Sequence, residues 1–178
     1  MSKIANGINR FTDKLGRIIS WLALLLVLLV ITVVLSRYLL GMGSIAIQES
    51  VTYVHAVIFM LGLAFTLQRG GHVRVDIFYR NYSLRRKALV DLAGGILFLI
   101  PFCILIFVSS WDYVLASWTI LETSSESDGI AAIYLLKTLM LIMPVTLGIQ
   151  GVAEILNSII ILKGAPSQGR FERDEQIL

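Results

Sequence analysis

The chain has 178 residues, of which 57% are hydrophobic and 15% are charged, and its formal net charge is +3. A soluble domain of this length would carry about a quarter charged residues, and the longest polar stretches here are too short to fold independently. Composition therefore excludes a separate soluble domain, and with it the basic soluble face that a nucleic-acid partner would need. Because the apolar residues fall into four long runs, we predict an all-α integral membrane protein with four transmembrane helices.

Residues 1–17 precede the first apolar run and form an amphipathic lead-in that we place at the cytoplasmic surface. Basic residues alternate there with apolar residues at helical spacing, namely Ile4, Ile8, Phe11 and Leu15. A signal peptide is the rival interpretation. It is disfavoured because the apolar run over 18–35 exceeds the roughly 7–15 residues typical of such peptides.

The four predicted spans cover residues 18–40, 47–68, 88–118 and 130–162, and together they form one membrane domain over 18–162. At ~1.5 Å per residue, the last two spans are longer than a ~30 Å hydrocarbon core requires. We therefore expect them to tilt or to project beyond the bilayer. The remaining residues, 163–178, form a polar cytoplasmic tail.

The distribution of Lys and Arg predicts the orientation. Thirteen of the fifteen basic residues fall within 1–17, 69–87 and 163–178, whereas the loop over 121–129 holds three acidic residues and no basic one. Since short loops rich in Lys and Arg stay on the cytoplasmic side, both termini are predicted to be cytoplasmic. The inner loop over 68–87 also carries Phe78, Tyr79 and Tyr82, which favour an interfacial segment anchored among the lipid headgroups.

The candidates for chemistry are few. The chain has two histidines and one cysteine, and His55 lies within the second span whereas His72 lies in the inner loop. They are therefore poorly placed to share a haem or metal, and we expect His55 to make an interhelical hydrogen bond instead. No G-x-S-x-G element or phosphate-binding loop is present. We expect no enzymatic activity, no catalytic residue and no metal or cofactor bound by this chain.

Ionisable residues lie near the ends of the spans, with Asp91 and Glu154 toward the predicted inner side. A self-contained transporter is expected to show broken helices and polar groups at the midplane. Each of these charged residues has two interpretations. It forms a salt bridge or snorkels to the membrane surface, or it contacts a larger partner that holds the transport pathway. Lys137 is expected to pair with an outer carboxylate of this chain (Glu49, Asp112 or Glu122) or of a partner. An independent small homo-oligomeric transporter or channel remains the alternative function.

Several motifs resemble one known family over about residues 15–160. Ser36-Arg37 ends the first span, Glu49 opens the second, and a Gly71-His72-Val73-Arg74-Val75-Asp76 element follows it. Then come Glu122-x-Ser124, Gly129, Lys137, Pro144, Gln150 and Glu154. The pattern resembles the small membrane subunit, or Q-type subunit, of a TRAP (tripartite ATP-independent periplasmic) transporter. Many family members begin the second span with W-x-E-E, whereas this chain retains only the second carboxylate, Glu49.

The resemblance implies a scaffold subunit in a bacterial cell inner membrane. Its partners would be a large TRAP membrane subunit, a periplasmic substrate-binding protein that docks transiently at the outer face, and membrane lipids. The large subunit would bind sodium and import an organic acid. Nine polar residues are candidates for subunit-interface or structural roles: Arg37, Glu49, His72, Asp76, Asp112, Glu122, Lys137, Gln150 and Glu154.

Overall fold

The computed structural model describes residues 2–72, 79 and 82–164, and its described elements are all helical. Four helices are long and apolar enough to cross a membrane, as predicted: α1, Ser2–Leu39; α2, Ile45–Gln68; α3, Leu84–Thr119; and α4, Ile133–Leu162. We call the end that carries the α1–α2 and α3–α4 connections the outer end, and the opposite end the inner end, after the predicted orientation. That orientation itself stays a prediction.

The first helix is much longer than the predicted span, because it begins at Ser2 and runs without interruption for 38 residues. The lead-in and the apolar run share one helical period, and neither Gly7 nor Gly16 breaks it. Ala5, Thr12 and Gly16 are buried against neighbouring helices. The lead-in is therefore an extension of α1 that packs into the bundle, while the placement of its exposed face on a membrane surface remains a prediction.

Glycines in the left-handed conformation end the first two helices. Gly41 has φ 63°, and the next residue, Met42, donates its N–H to the carbonyl of Ser36 at 3.0 Å. Gly70 has φ 70°, and Gly71 donates to the carbonyl of Thr66 at 2.9 Å. This pattern satisfies carbonyls that a helix end leaves open, and glycine adopts its geometry without steric cost.

The third helix is not a regular α-helix along its whole length. An α-helical stretch, Leu84–Gly94, is followed by a π-helical segment, Gly95–Leu99, and a second α-helical stretch, Ile100–Thr119. The π-helical segment lies directly before Pro101, which has no N–H to donate to the preceding turn. A local change of helical pitch at this point fits the loss of that donor.

The fourth helix is the centre of the bundle. α1 and α2 pack against each other and both pack against α4, while α3 also packs against α4. A Cβ added at Gly151 of α4 would lie 2.7 Å from Leu99, and one added at Gly95 of α3 would lie 2.8 Å from Ile155. Small residues therefore allow α3 and α4 to approach closely, as is common between membrane helices.

Candidate functional site

At the outer end, Glu49 of α2 holds the α3–α4 loop. Its carboxylate accepts a hydrogen bond from the Ser124 hydroxyl and another, at 2.6 Å, from the backbone N–H of Ile130. The Ser124 N–H in turn donates to the Ile130 carbonyl at 3.2 Å. A Cβ added at Gly129 would collide with Ser124 and would lie 2.8 Å from Glu49 Oε1. We call Glu49, Ser124, Gly129 and Ile130 the outer clasp.

Replacing Glu49 with glutamine is expected to loosen this loop. Glutamine keeps one acceptor oxygen but replaces the other with an NH2 group, and it removes the negative charge that strengthens the hydrogen bonds from Ser124 and Ile130. Amide hydrogen exchange of Ile130 should become roughly threefold to tenfold faster. The matched control is Glu126→Gln, which removes an exposed carboxylate from the same loop. Equal exchange in the two variants would contradict the clasp.

A second contact at the outer end joins the start of α4 to the end of α3. Lys137 Nζ lies 2.5 Å from Glu122 Oε2 and 4.0 Å from the centroid of the Tyr113 ring. The Glu122 carbonyl also accepts the Ile133 N–H at 3.1 Å. Of the carboxylates predicted for Lys137, the structure therefore pairs it with Glu122, while Asp112 is exposed on α3.

The Lys137–Glu122 ion pair predicts that the stability of the protein depends on pH in the acidic range. The Lys137 ammonium lowers the pKa of the Glu122 carboxyl below its ordinary value. The stability that the pair contributes is thus present above the unfolded-state pKa and is lost as the pH falls through the lower, folded-state pKa. We expect the thermal stability of the purified protein to fall on acidification, and Lys137→Met to reduce that dependence. Asp112→Asn is the control and should leave the pH dependence of thermal stability unchanged. If Lys137→Met also leaves that dependence unchanged, the Lys137–Glu122 pair is not its cause.

At the inner end, Gln150 of α4 makes three hydrogen bonds and is fully buried, with 0% of its surface exposed. Its Oε1 accepts from Thr12 Oγ1 at 2.8 Å. Its Nε2 donates to Asn9 Oδ1 at 3.0 Å and to Glu154 Oε1 at 3.1 Å. We call Asn9, Thr12, Gln150 and Glu154 the inner network. It ties the N-terminal half of α1 to α4.

The end of α2 joins the same region. Gln68 Nε2 donates to the Asn9 carbonyl at 2.9 Å, and Arg69 forms a 2.7 Å ion pair with Asp13. The ion pair is largely exposed, so it contributes at most ~0–1 kcal/mol. The hydrogen bond donated by the buried Gln68 side chain constrains α1 more strongly than this ion pair does, because a buried polar group that loses its partner is costly.

Five of the nine predicted polar residues fall in these contacts: Glu49, Glu122, Lys137, Gln150 and Glu154. The others do not. Arg37 and Asp112 are exposed near the outer end and His72 is exposed just after α2, whereas Asp76 lies outside the described residues. Sequence reasoning missed Thr12. A signal was present in the sequence, since the small residues Ala5, Thr12 and Gly16 recur at intervals of seven and four, which places them on one helical face.

A groove beside α3 and α4 is apolar. This groove, of about 370 Å³, runs between α3 and α4 and is lined by Ile100, Cys103, Ile104, Phe107, Pro144, Val145, Gly148, Ile149 and Val152. These side chains offer no charge to a polar solute. Within the described ranges, no three His, Cys, Asp or Glu side chains are grouped so that they could hold a metal ion.

Comparison with known families shows which family the chain matches. The family model described as "Tripartite ATP-independent periplasmic transporters, DctQ component" matches residues 10–160. The matched range contains the outer clasp, the Lys137–Glu122 pair and all of the inner network except Asn9. No curated protein and no solved structure matches the chain.

Proposed function

Because the chain belongs to the DctQ family, the small membrane component of TRAP transporters, we propose that it is a non-catalytic scaffold for the large membrane component of such a transporter. Four apolar spanning helices make it a multi-pass membrane protein. We further propose that the membrane is a bacterial inner membrane, since the family's solute is captured on the periplasmic side.

The placement of polar groups is the observation that supports a scaffold. The outer clasp and the Lys137–Glu122 pair fasten one end of the bundle, and the inner network fastens the other. A helix bundle that carried a solute would instead be expected to bring polar groups from several helices together inside the bundle near the membrane midplane. His55 lies at about that depth, but it is exposed on the outside of the bundle. In the part of the chain that the structure describes, hydrogen-bonded polar side chains join helices to one another and the groove beside them is apolar.

The remaining parts of the transport cycle are assigned to the partners. In this proposal the large component binds sodium and moves an organic acid inward, and a periplasmic binding protein docks transiently at the outer end. The outer loop offers the exposed acidic residues Glu126 and Asp128 on that side. The outer clasp would keep this loop in one conformation during docking.

Co-expression with the gene for the large component tests the proposal. A tag on this chain should retain the large component through purification in detergent. In liposomes supplied with binding protein and a sodium gradient, the two membrane components together should take up solute and this chain alone should not. Solute transport by the isolated chain would contradict a scaffold and would favour the homo-oligomeric transporter.

A further inference from the structure

The exposed residues of α2 share one helical face, and most of them are polar. The four residues of α2 whose side chains are exposed recur at intervals of four, three and four: Gln48, Thr52, His55 and Phe59. This spacing places them on a single helical face. We call these four residues the α2 stripe, and three of them are polar.

The middle of the α2 stripe lies at the depth expected for the hydrocarbon core, whereas Gln48, in the first turn of α2, lies beside Glu49 at the outer end. His55 comes ten residues after Ile45, the first residue of the helix, which is ~15 Å along the axis and near the middle of a ~30 Å core. Its ring stacks on that of Phe59, with centroids 6.3 Å apart and an interplanar angle of 11°. Phe59 is itself 63% exposed, so the two rings stand out from the bundle together.

The polar side chains of the α2 stripe have no hydrogen-bond partner among the described residues, whereas several other exposed hydroxyls in the spans have one. Ser20, Thr32 and Ser109 each donate to a carbonyl of their own helix. Lipid chains cannot supply such a bond, and an unsatisfied polar group facing hydrocarbon is costly. Lipid is therefore an unfavourable neighbour for the polar side chains in the middle of the α2 stripe.

We propose that the α2 stripe is the surface on which the large membrane component docks, through a transmembrane helix that places a hydrogen-bonding side chain opposite His55. This inference rests on the proposed function and specifies its interface. The family match names a component of a multi-part transporter, so a membrane partner is expected. Polar side chains that bond across a helix pair, beside a protruding aromatic ring, are typical of contacts between membrane helices.

Site-specific photo-crosslinking in the co-expressed complex tests this interface. A benzophenone amino acid is placed at Thr52 or His55, and as controls at Leu28 of α1 and Val108 of α3, which are 53% and 65% exposed. Irradiation should join positions 52 and 55 to the large component. The two control positions, which face lipid in this proposal, should give little adduct with it.

The outcomes separate the interface from the proposed function. If the complex purifies but the large component is joined from position 28 or 108 and not from 52 or 55, the α2 stripe is not the interface and the scaffold function stands. Adducts between two copies of this chain from position 55 would assign the stripe to self-association instead. If the large component does not co-purify at all, both proposals fail.

Replacing His55 with leucine gives a second measurement. Because His55 makes no hydrogen bond within the described residues, the variant should fold and purify as the unaltered chain does. The association constant for the large component should fall about threefold to tenfold, the effect of one interhelical hydrogen bond. Thr32→Val, which changes an exposed hydroxyl bonded to its own helix, is the control. If His55→Leu leaves the association constant unchanged, the large component places no hydrogen-bonding side chain opposite His55.

Discussion

Replacing Gln150 with leucine is expected to destabilise the isolated protein by about 2–4 kcal/mol. Leucine fills most of the volume of glutamine but makes none of its hydrogen bonds. Thr12, whose surface is 2% exposed, would lose its acceptor, and Asn9 would lose a donor to its side-chain oxygen. Each buried polar group that is left without a partner has a free-energy cost that the unfolded chain does not have.

Unfolding in mixed micelles, followed by tryptophan fluorescence, measures this difference. Gln48→Leu is the matched control, because the same chemical change is made at an exposed position of α2 and should cost little in the isolated chain. A double-mutant cycle with Thr12→Val should show strong coupling, since both substitutions remove the same 2.8 Å bond. Equal destabilisation by the two leucine variants would show that burial of Gln150 is unimportant.

The number and approximate position of the membrane helices could be predicted from hydropathy, because apolar runs of this length leave few other structures open. The first helix was the exception. The charges of residues 1–17 suited a segment on the membrane surface, yet Ala5, Thr12 and Gly16 are buried against other helices. Amphipathicity alone does not say whether the apolar face meets lipid or protein, so only the packing of α1 could decide.

The polar contacts were predictable only in part. The pairing of Lys137 with a carboxylate at its own end of the bundle followed from charge and depth, and the structure identifies that carboxylate as Glu122. The bond between Thr12 and Gln150 joins residues 138 positions apart. Sequence spacing does not report which faces of two distant helices meet, so this contact needed the three-dimensional arrangement.

The surroundings of His55 likewise could not be predicted from its position in the sequence. Its position within a span predicted an interhelical hydrogen bond, yet His55 makes no hydrogen bond to a described residue, stacks on the ring of Phe59 and is exposed. The sequence indicated that a polar side chain at this depth needs a partner. It could not indicate that none of the described residues supplies that partner, because that depends on which face of α2 the other three helices cover.

Replacing Gly16 with alanine is expected to destabilise the protein by about 1–3 kcal/mol, the usual effect of overfilling a packed contact. A Cβ at this position would lie 2.5 Å from Cγ and 2.7 Å from Cε2 of Phe65. The guanidinium of Arg69 lies 5.0 Å from the centroid of the same ring, so a ring that withdrew would also disturb this contact. α1 and α2 would therefore have to separate near the inner network.

The matched control for this prediction lies on the same helix. No atom lies within 4 Å of a Cβ added at Gly7, so Gly7→Ala should stabilise α1 by about 0.5–1 kcal/mol, the ordinary gain of alanine over glycine in a helix. Unfolding in mixed micelles should thus give opposite signs for the two variants. In a Phe65→Leu background, where the ring is gone, Gly16→Ala should cost much less. If both alanine variants are instead stabilising, α1 and α2 are not in close contact at Gly16, because only that contact distinguishes the two glycines.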